Sequence, residues 1–538
     1  MGTPASASRL WLAPVLLLAV LWTQEHFVKA TNFYGYDEWT ILTLLSKGVT
    51  DIPYANRTLA LLWALPAPWL QAHSFGPFVT MRCGYLWLTA LLVLWISLRL
   101  APGRSMLAFL AGCFVLVWAP SDYARLSLVE GGLYAGITFG MTLSVAVYVE
   151  SWLRQSIPLL GLASVLALVS GRCYEPTLPV LLLSPLLLLV PGVRAGRALG
   201  RWVLAYEAFV LLGLVQAATP ILFGSAASYQ ASYRLDARPL VVLERLRQQF
   251  WLHLGPLVSP RLAELQTHAA AAGIAVAVFL CTAIVWRRAD GRDTAPGGDL
   301  RALLGAAVLL TGAGYAALLA TGSVPGAWRA QFLSAPGAAW LLSSLAVGAG
   351  ERLRRHGASM ALALSAWVVA VGTARASAMQ QSWDTMSFYP RQMPMLSSLV
   401  AAVPDTLPNT LVVLLDPKRT WRASFGFHHA VEYLYGGHAI GLVAGSPTAM
   451  FPAFFTPGGV LSEPYPAVRA AWGARTTLFR YDELVVVRDG PGPLAILDEW
   501  PSELPPLPSG ARYAPRARVR PLAAPLPERR ALTSLHGS

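Results

Sequence analysis

Long apolar runs recur through the first two thirds of the chain and constrain its fold more than any other feature. Of the 538 residues, 55% are apolar and 13% are charged, a composition too hydrophobic for a soluble protein of this size. The runs predict an α-helical polytopic membrane protein with about eleven transmembrane helices, the shorter runs extending into flanking loops to reach about 20 residues. They lie near Leu10–Trp22, Phe78–Leu98, Met106–Trp118, Leu133–Val149, Ile157–Val169, Thr177–Val190, Trp202–Phe223, Ala269–Trp286, Ala302–Ala320, Phe332–Val347 and Ser359–Val371.

Arginines are concentrated in alternate loops between these runs, at 99–104, 150–156, 194–201, 287–301 and 351–357. Positive charge in short loops is retained on the cytoplasmic side, so the pattern predicts a cytoplasmic N-terminus and places everything after Thr373 outside. The formal net charge of +13 is therefore a topology signal, and we expect no nucleic-acid partner. Val28, Lys29 and Ala30 also resemble a signal-peptidase site, and the first outer loop would be outside in either case.

The composition changes after Thr373, where shorter elements replace the apolar runs. We expect a helix near Arg391–Val403 and a small extracytoplasmic α/β or α+β domain. Its strand patterns are Thr410–Leu415, Thr477–Arg480, Leu484–Val487 and Leu494–Leu497. The predicted divisions are a membrane domain over 1–374 with outer loops 24–77 and 224–268, a C-terminal domain over 375–500, and a proline- and arginine-rich disordered tail over 501–538.

Two outer loops contain amphipathic helical patterns that we expect to lie along the membrane surface at headgroup depth. The first begins at Asp37 and carries Ile41, Leu44 and Leu45 on one face, with Glu38 and Thr43 elsewhere on the helix. In the later loop the apolar face consists of Leu243, Leu246, Phe250, Trp251 and Leu254.

Adjacent carboxylates, Asp37 and Glu38, stand at the start of the first of these helices. Acids beside a bilayer are costly unless they have a use, so we take both as catalytic candidates. Tyr36 supplies an aromatic face on which a sugar or a lipid headgroup could rest. The alternative is structural, with Asp37 as the N-cap and Glu38 as a first-turn acid favoured by the helix dipole.

The loop SDYARLSLVEGG contains a second set of charges, Asp122, Arg125 and Glu130. If it folds back over the outer surface, Asp122 or Glu130 could join Asp37 around a substrate or a divalent cation held by oxygen ligands. The spacing does not require a metal, and a solvated connector would need no function.

Several arginines fall at outer helix ends, where the orientation rule does not call for them: Arg57, Arg82, Arg125, Arg172 and Arg329. Guanidinium groups bind phosphate oxygens through paired hydrogen bonds, so these residues are candidates for binding a lipid phosphate. Structural pairing is the rival interpretation, for instance Arg172 with Glu175.

Metal-binding and nucleotide-binding motifs are weak or missing from the sequence. His428, His429 and Glu432 have helical ligand spacing, but without a fourth ligand or a zinc motif we assign no metal site. The four cysteines show no paired spacing. No Gly-rich phosphate loop or GxSxG elbow is present, which argues against an ATP-driven pump or a serine hydrolase.

The segments GYDEWTILTLLSKG and IPYANRT, together with WRAQFLSAP at 328–336 and the predicted topology, resemble the GT-C class of glycosyltransferases. The class includes protein O-mannosyltransferases, the lipid A aminoarabinose transferase and oligosaccharyltransferase. The resemblance covers the membrane region to about Val371. It implies transfer of a sugar, with inversion, from a polyprenyl-phosphate donor to a glycan, lipid or protein acceptor at the outer face of the cell membrane.

By this resemblance Asp37 would be the general base, and Arg329, Arg82 or Arg57 would stabilise the departing phosphate. The second acidic loop lacks an Asp-x-Asp pair, which departs from the family pattern and leaves metal dependence open. Two other functions compete. A transporter or flippase of lipid-linked saccharides would need charged groups near mid-membrane, which the runs lack. A polysaccharide polymerase or ligase would use the loop 224–268.

Overall fold

A computed structural model describes residues 11–28, 33, 35, 37–51, 57–67, 76–191, 197–223, 238–290, 298–319, 331–353, 356–421, 424–446 and 450–532. Within these ranges six helices are long and apolar enough to cross a membrane. They are Gly76–Leu100, Val129–Leu153, Arg197–Ala217, Ala269–Ala289, Gln331–Arg352 and Gly357–Met386. Shorter apolar helices are Leu12–Phe27, Ser105–Val117, Ile157–Cys173, Glu175–Leu189 and Leu300–Ala313. The apolar runs are thus helical, while the predicted number of spans and their orientation stay predictions.

The helices of the first 386 residues are numbered here in chain order. They are α1 (Leu12–Val28), α2 (Asp37–Ser46), α3 (Gly76–Leu100), α4 (Ser105–Val117), α5 (Val129–Leu153), α6 (Ile157–Cys173), α7 (Leu178–Leu183), α8 (Arg197–Phe223), α9 (Pro239–Val258), α10 (Leu262–Thr267), α11 (Ala269–Asp290), α12 (Leu300–Ala313), α13 (Ala316–Leu319), α14 (Ala335–Arg352) and α15 (Gly357–Met386).

Neighbouring apolar helices pack around α5, which contacts α3 on one side and α6 on the other. Small residues allow close approach: a Cβ atom added at Gly136 or Gly140 of α5 would lie 2.4 Å from the side chain of Trp63. Trp63 lies in the segment between α2 and α3, so the two glycines allow this segment to pack closely against α5. Polar links also join distant helices, since Gln24 Nε2 donates to Thr373 Oγ1 at 2.8 Å.

The predicted helix at Asp37 is present as α2, but it does not lie on a surface. Eight of its ten residues, from Glu38 to Leu45, are buried. The polar side of the helix is covered by protein, because Thr43 Oγ1 donates to the carbonyl of His429 in the C-terminal domain at 3.0 Å. The expectation of one solvated face is therefore wrong. The later amphipathic helix does form, as α9, with Leu240, Leu243 and Trp251 exposed by 81%, 62% and 59%.

The C-terminal region is an α/β domain, as expected. Its helices are α16 (Tyr389–Ala402), α17 (Ser424–Leu434) and α18 (Pro466–Trp472). Its strands are β1 (Asp405–Thr406), β2 (Thr410–Leu415), β3 (Ala439–Val443), β4 (Ala453–Thr456), β5 (Gly459–Ser462), β6 (Thr477–Phe479), β7 (Leu484–Arg488), β8 (Ala495–Ile496) and β9 (Val519–Arg520).

Three sheets organise this domain. The largest has the order β3-β2-β7-β8, with β2 parallel to both of its neighbours and β8 antiparallel to β7. Both faces of β2 are buried, which agrees with its unbroken apolar sequence TLVVLL. A three-stranded antiparallel sheet, β4-β5-β6, and the antiparallel pair β1-β9 complete the set among the described residues.

The tail from Pro501 differs from our expectation of disorder, because residues 501–532 pack on the C-terminal domain. Strand β9 pairs with β1, and Leu504 is buried in the core of the large sheet. Its arginines have fixed partners: Arg516 Nε donates to Asp498 at 2.7 Å, and Arg518 binds the carbonyls of Pro408 and Asn409. The tail is therefore ordered despite a composition typical of disorder, because its residues pair with specific residues of the domain.

Tyr513 offers a test of this docking. Its hydroxyl accepts a hydrogen bond from Val486 N at 3.0 Å and donates to Leu497 O at 2.8 Å, which joins the tail to β7. Tyr513→Phe leaves the Val486 N–H without an acceptor and should lower the stability by about 1–3 kcal/mol. Thermal unfolding in detergent measures this, with the exposed Tyr465→Phe as the matched control. Equal melting temperatures for the two variants would show that the tail does not depend on this bond.

Candidate functional site

The N-terminus of α2 is held in place from the C-terminal domain by Gln392 of α16. The Gln392 amide donates to Gly35 O at 2.8 Å and accepts from Trp39 Nε1 at 3.2 Å. Gly35 has a φ of +83°, and a Cβ atom there would lie 2.3 Å from Gln392 Oε1, so only glycine fits. Gly35 and Trp39, the two residues that Gln392 binds, lie on either side of Asp37 in the chain. Asp37 begins the helix and is half-buried.

Glu38 is 1% exposed, and its two carboxylate oxygens have separate partners. Oε2 accepts from Gly35 N at 3.1 Å, and Oε1 accepts from Ser127 Oγ at 3.3 Å. Ser127 lies in the loop between α4 and α5, so this carboxylate joins that loop to the start of α2. Glu130, three residues further along the chain in the first turn of α5, is also buried.

Asp122 lies in a narrow cleft between helices, where it is 5% exposed. Its Oδ1 atom is buried and has no hydrogen-bond partner among the residues that the structure describes. Burial raises the pKa of Asp122 to about 7, against the opposing effects of the Arg125 charge and of backbone N–H groups. The polar and aromatic residues lining the cleft with it include Arg125, Tyr134, His253, Gln331 and Phe332.

Arg125 is half-buried and caps the C-terminal end of α4. Its guanidinium donates to the carbonyl of Val115 at 3.1 Å and also contacts the carbonyl of Leu116. Carbonyls at a helix C-terminus carry partial negative charge and attract cations. Arg125 is therefore explained by the fold, and its charge lies beside Asp122.

Two of the predicted phosphate-binding arginines make ion pairs within the protein. Arg57 binds Glu175 through two hydrogen bonds of 2.7 Å, and its guanidinium lies 4.4 Å from the ring centroid of Tyr174. Arg82, 1% exposed, contacts Glu25 of α1. The rival pairing expected for Glu175 was with Arg172, and the structure shows Arg57 in that place.

Arg172 lies half-buried in the last turn of α6. Its side chain forms no ion pair with the described residues, although its backbone carbonyl accepts from Leu59 N at 3.4 Å. Tyr36 and Arg329, the remaining predicted site residues, lie outside the described residues.

A second polar cluster lies near the C-terminal end of α2, in a cavity of about 270 Å³ lined by Lys47, His428, His429, Glu432 and Trp472 among others. Lys47, directly after α2, contacts Glu432 of α17. The spacing of these residues was visible in the sequence, but their burial against α2 was not.

No protein-family model matches this sequence, and no curated protein does. Among solved structures, the chain is similar to the crystal structure of the Archaeoglobus fulgidus oligosaccharyltransferase in complex with Zn and sulfate, with 13% sequence identity and a TM-score of 0.44. The alignment covers 81% of this chain and 62% of that chain. A likeness of this size does not establish a shared activity.

Asp122 makes the stability of the protein depend on pH. Because its pKa in the folded state is raised, the unfolded chain loses this proton first, so ionisation between about pH 4 and pH 7 disfavours the folded state. Asp122→Asn removes the effect. The melting temperature of the variant minus that of the unaltered protein should therefore rise between about pH 4 and pH 7 and then level off. The exposed Glu503→Gln is the control. A difference that stays constant with pH would contradict this assignment.

Proposed function

We propose that this chain is a membrane glycosyltransferase that moves a sugar from a polyprenyl-phosphate donor to an acceptor hydroxyl at the outer face of the membrane. The observation that supports it most is the Ser127–Glu38 hydrogen bond, which joins two acid-bearing loops at the ends of apolar helices of membrane-spanning length. Burying an acid in such a place is unfavourable, and buried acids of this kind are commonly found at functional sites.

Asp37 is the proposed general base. It takes the proton of the acceptor hydroxyl while the hydroxyl oxygen attacks the anomeric carbon. The bond from that carbon to the phosphate oxygen breaks, the lipid phosphate leaves with the electron pair, and the anomeric configuration inverts. A base must reach the proton directly. Asp37 is half-buried, whereas Glu38 is 1% exposed with both oxygens engaged, so Glu38 is proposed to hold the helix end in position.

Asp122 is the proposed second substrate contact. Its pKa near 7 allows the carboxyl group to donate to or accept from a sugar hydroxyl, and Tyr134, His253 and Gln331 line the same cleft. A hard divalent cation needs several oxygen ligands and a negative surrounding. The described residues around Asp122 do not fit such a cation, because Arg125 in the same cleft supplies a positive charge there. The proposed steps therefore involve protein groups alone.

Arg172 is the proposed partner of the departing phosphate. The guanidinium of Arg57 is held by Glu175 and that of Arg82 by Glu25, whereas Arg172 forms no ion pair among the described residues. Charge developing on the leaving group is stabilised best by a preorganised cation. Arg329 and Tyr36 keep their predicted roles in phosphate and sugar binding.

The base is tested with Asp37→Asn and Asp37→Ala in membranes supplied with a polyprenyl-phosphate sugar and cell-derived acceptors. Both should lower the transfer rate by about 10²-fold or more, the typical contribution of a positioned base. Glu244→Gln on α9, an exposed ion-pair residue, is the control and should transfer normally. If correctly inserted Asp37→Ala protein transfers sugar as fast as the unaltered protein, Asp37 is not the base.

The arginine assignment predicts opposite results for two variants. Arg172→Gln should lower transfer by about 10²-fold with little change in melting temperature, because one charge on the leaving group is lost. Arg57→Gln should chiefly lower the melting temperature, because Glu175 is left partly buried without its cation. Transfer assays and thermal unfolding on the same preparations separate the two effects. The reverse pattern would assign the phosphate to Arg57.

A further inference from the structure

Two histidines and a glutamate on α17 point toward one another beside the cavity under α2. His429 Nδ1 lies 3.3 Å from Glu432 Oε2, and His428 Nε2 lies 4.0 Å from the same oxygen. The possible ligand atoms of all three residues lie within 4.8 Å of one another. Ligand atoms around a tetrahedral zinc ion are roughly 3.3–3.5 Å apart, so small side-chain rotations would bring these three into range.

His429 carries the second indication of a ligand. Its side chain is 2% exposed, its Nε2 atom is buried, and that nitrogen has no hydrogen-bond partner among the described residues. A buried polar nitrogen without a partner is destabilising, and such groups need a specific reason. Its Nδ1 atom faces Glu432, and turning the ring over about the Cβ–Cγ bond brings Nε2 to that side of the cavity, where an ion could satisfy it.

The imidazole rings are held in place by aromatic side chains. The His428 ring stacks on Phe451 with centroids 4.0 Å apart, and the His429 ring meets Trp472 edge-on at 5.7 Å. Neutral imidazole is the form of histidine that binds metals. Lys47 contacts Glu432 Oε1, and Oε2 faces the histidines.

We propose that His428, His429 and Glu432 bind a divalent transition-metal ion of the zinc class, with the fourth coordination position open to the cavity. Two imidazoles and one carboxylate are a ligand set that zinc accepts. Lys47 acts outside the coordination sphere, orienting the carboxylate as outer-shell partners of metal ligands do.

The ion would lie where the C-terminal domain contacts α2 and the segment that follows it. Thr43 of α2 donates to His429 O at 3.0 Å, and Trp472 Nε1 donates to Asp51 O at 2.9 Å, five residues past the end of α2. An ion on α17 therefore stiffens the packing against which α2 rests. This inference does not depend on the proposed sugar transfer.

The test uses the full-length protein in detergent, purified without a histidine tag and stripped with a chelator. Titration with Zn²⁺ should give about one ion per chain and raise the melting temperature, and Co²⁺ should give a tetrahedral visible absorption band. His429→Gln and Glu432→Gln should weaken Zn²⁺ binding tenfold or more. His438→Gln, in the same cavity but paired with Asp405, is the matched control and should bind like the unaltered protein.

Unchanged Zn²⁺ affinity in both ligand variants would overturn the proposal, as would the absence of stoichiometric binding by the unaltered protein. If a variant fails to fold, X-ray absorption at the zinc edge of the unaltered protein decides instead. Scattering from two imidazoles at about 2.0 Å supports the site, and a shell without imidazole contradicts it.

Discussion

The burial of α2 on both faces is the constraint on which the packing between the apolar helices and the C-terminal domain depends. A helix of ten residues at a membrane surface would ordinarily leave its polar face in water, but here α17 of the C-terminal domain covers it. A buried carboxylate is costly unless it accepts hydrogen bonds. Glu38 meets this requirement through Gly35 and Ser127, and in doing so it links the start of α2 to the loop between α4 and α5. Asp37 is thereby held on a rigid support, which its proposed role as the base requires.

Electrostatic pairing separates structural charges from candidate functional ones. Arg57 and Arg82 each have a carboxylate partner, and Arg125 binds the carbonyl end of α4. Asp122 stands apart because one of its oxygens is buried without a partner among the described residues, and His429 stands apart through its Nε2 atom for the same reason. The sequence alone gave no reason to prefer one of these arginines over another as a phosphate-binding residue. Their partners come from residues distant in sequence, so only the fold distinguishes them.

How far the sequence predicts this domain structure depends on how regular each pattern is. The strand Thr410–Leu415 and the strand at Leu484 were located from unbroken apolar runs, because both faces of these strands are buried. Helix α17 was not predicted. Its sequence, SFGFHHAVEYL, is buried nearly all round and shows no polar face, so it lacks the periodicity on which helix prediction relies. The tail was misassigned because its prolines and arginines are typical of disorder, whereas its arginines find carbonyl and carboxylate partners.

The sequence by itself determined the apolar helices, the charge pattern of their loops, the α/β character of the C-terminal domain and the acids at Asp37 and Glu38. These follow from local composition and period, which act over a few residues. The tertiary structure decided that Glu38 is buried under Ser127, that Glu175 binds Arg57 instead of Arg172, and that His428, His429 and Glu432 meet under α2. Such contacts join segments up to hundreds of residues apart, and their energy depends on burial and distance, which no local pattern contains.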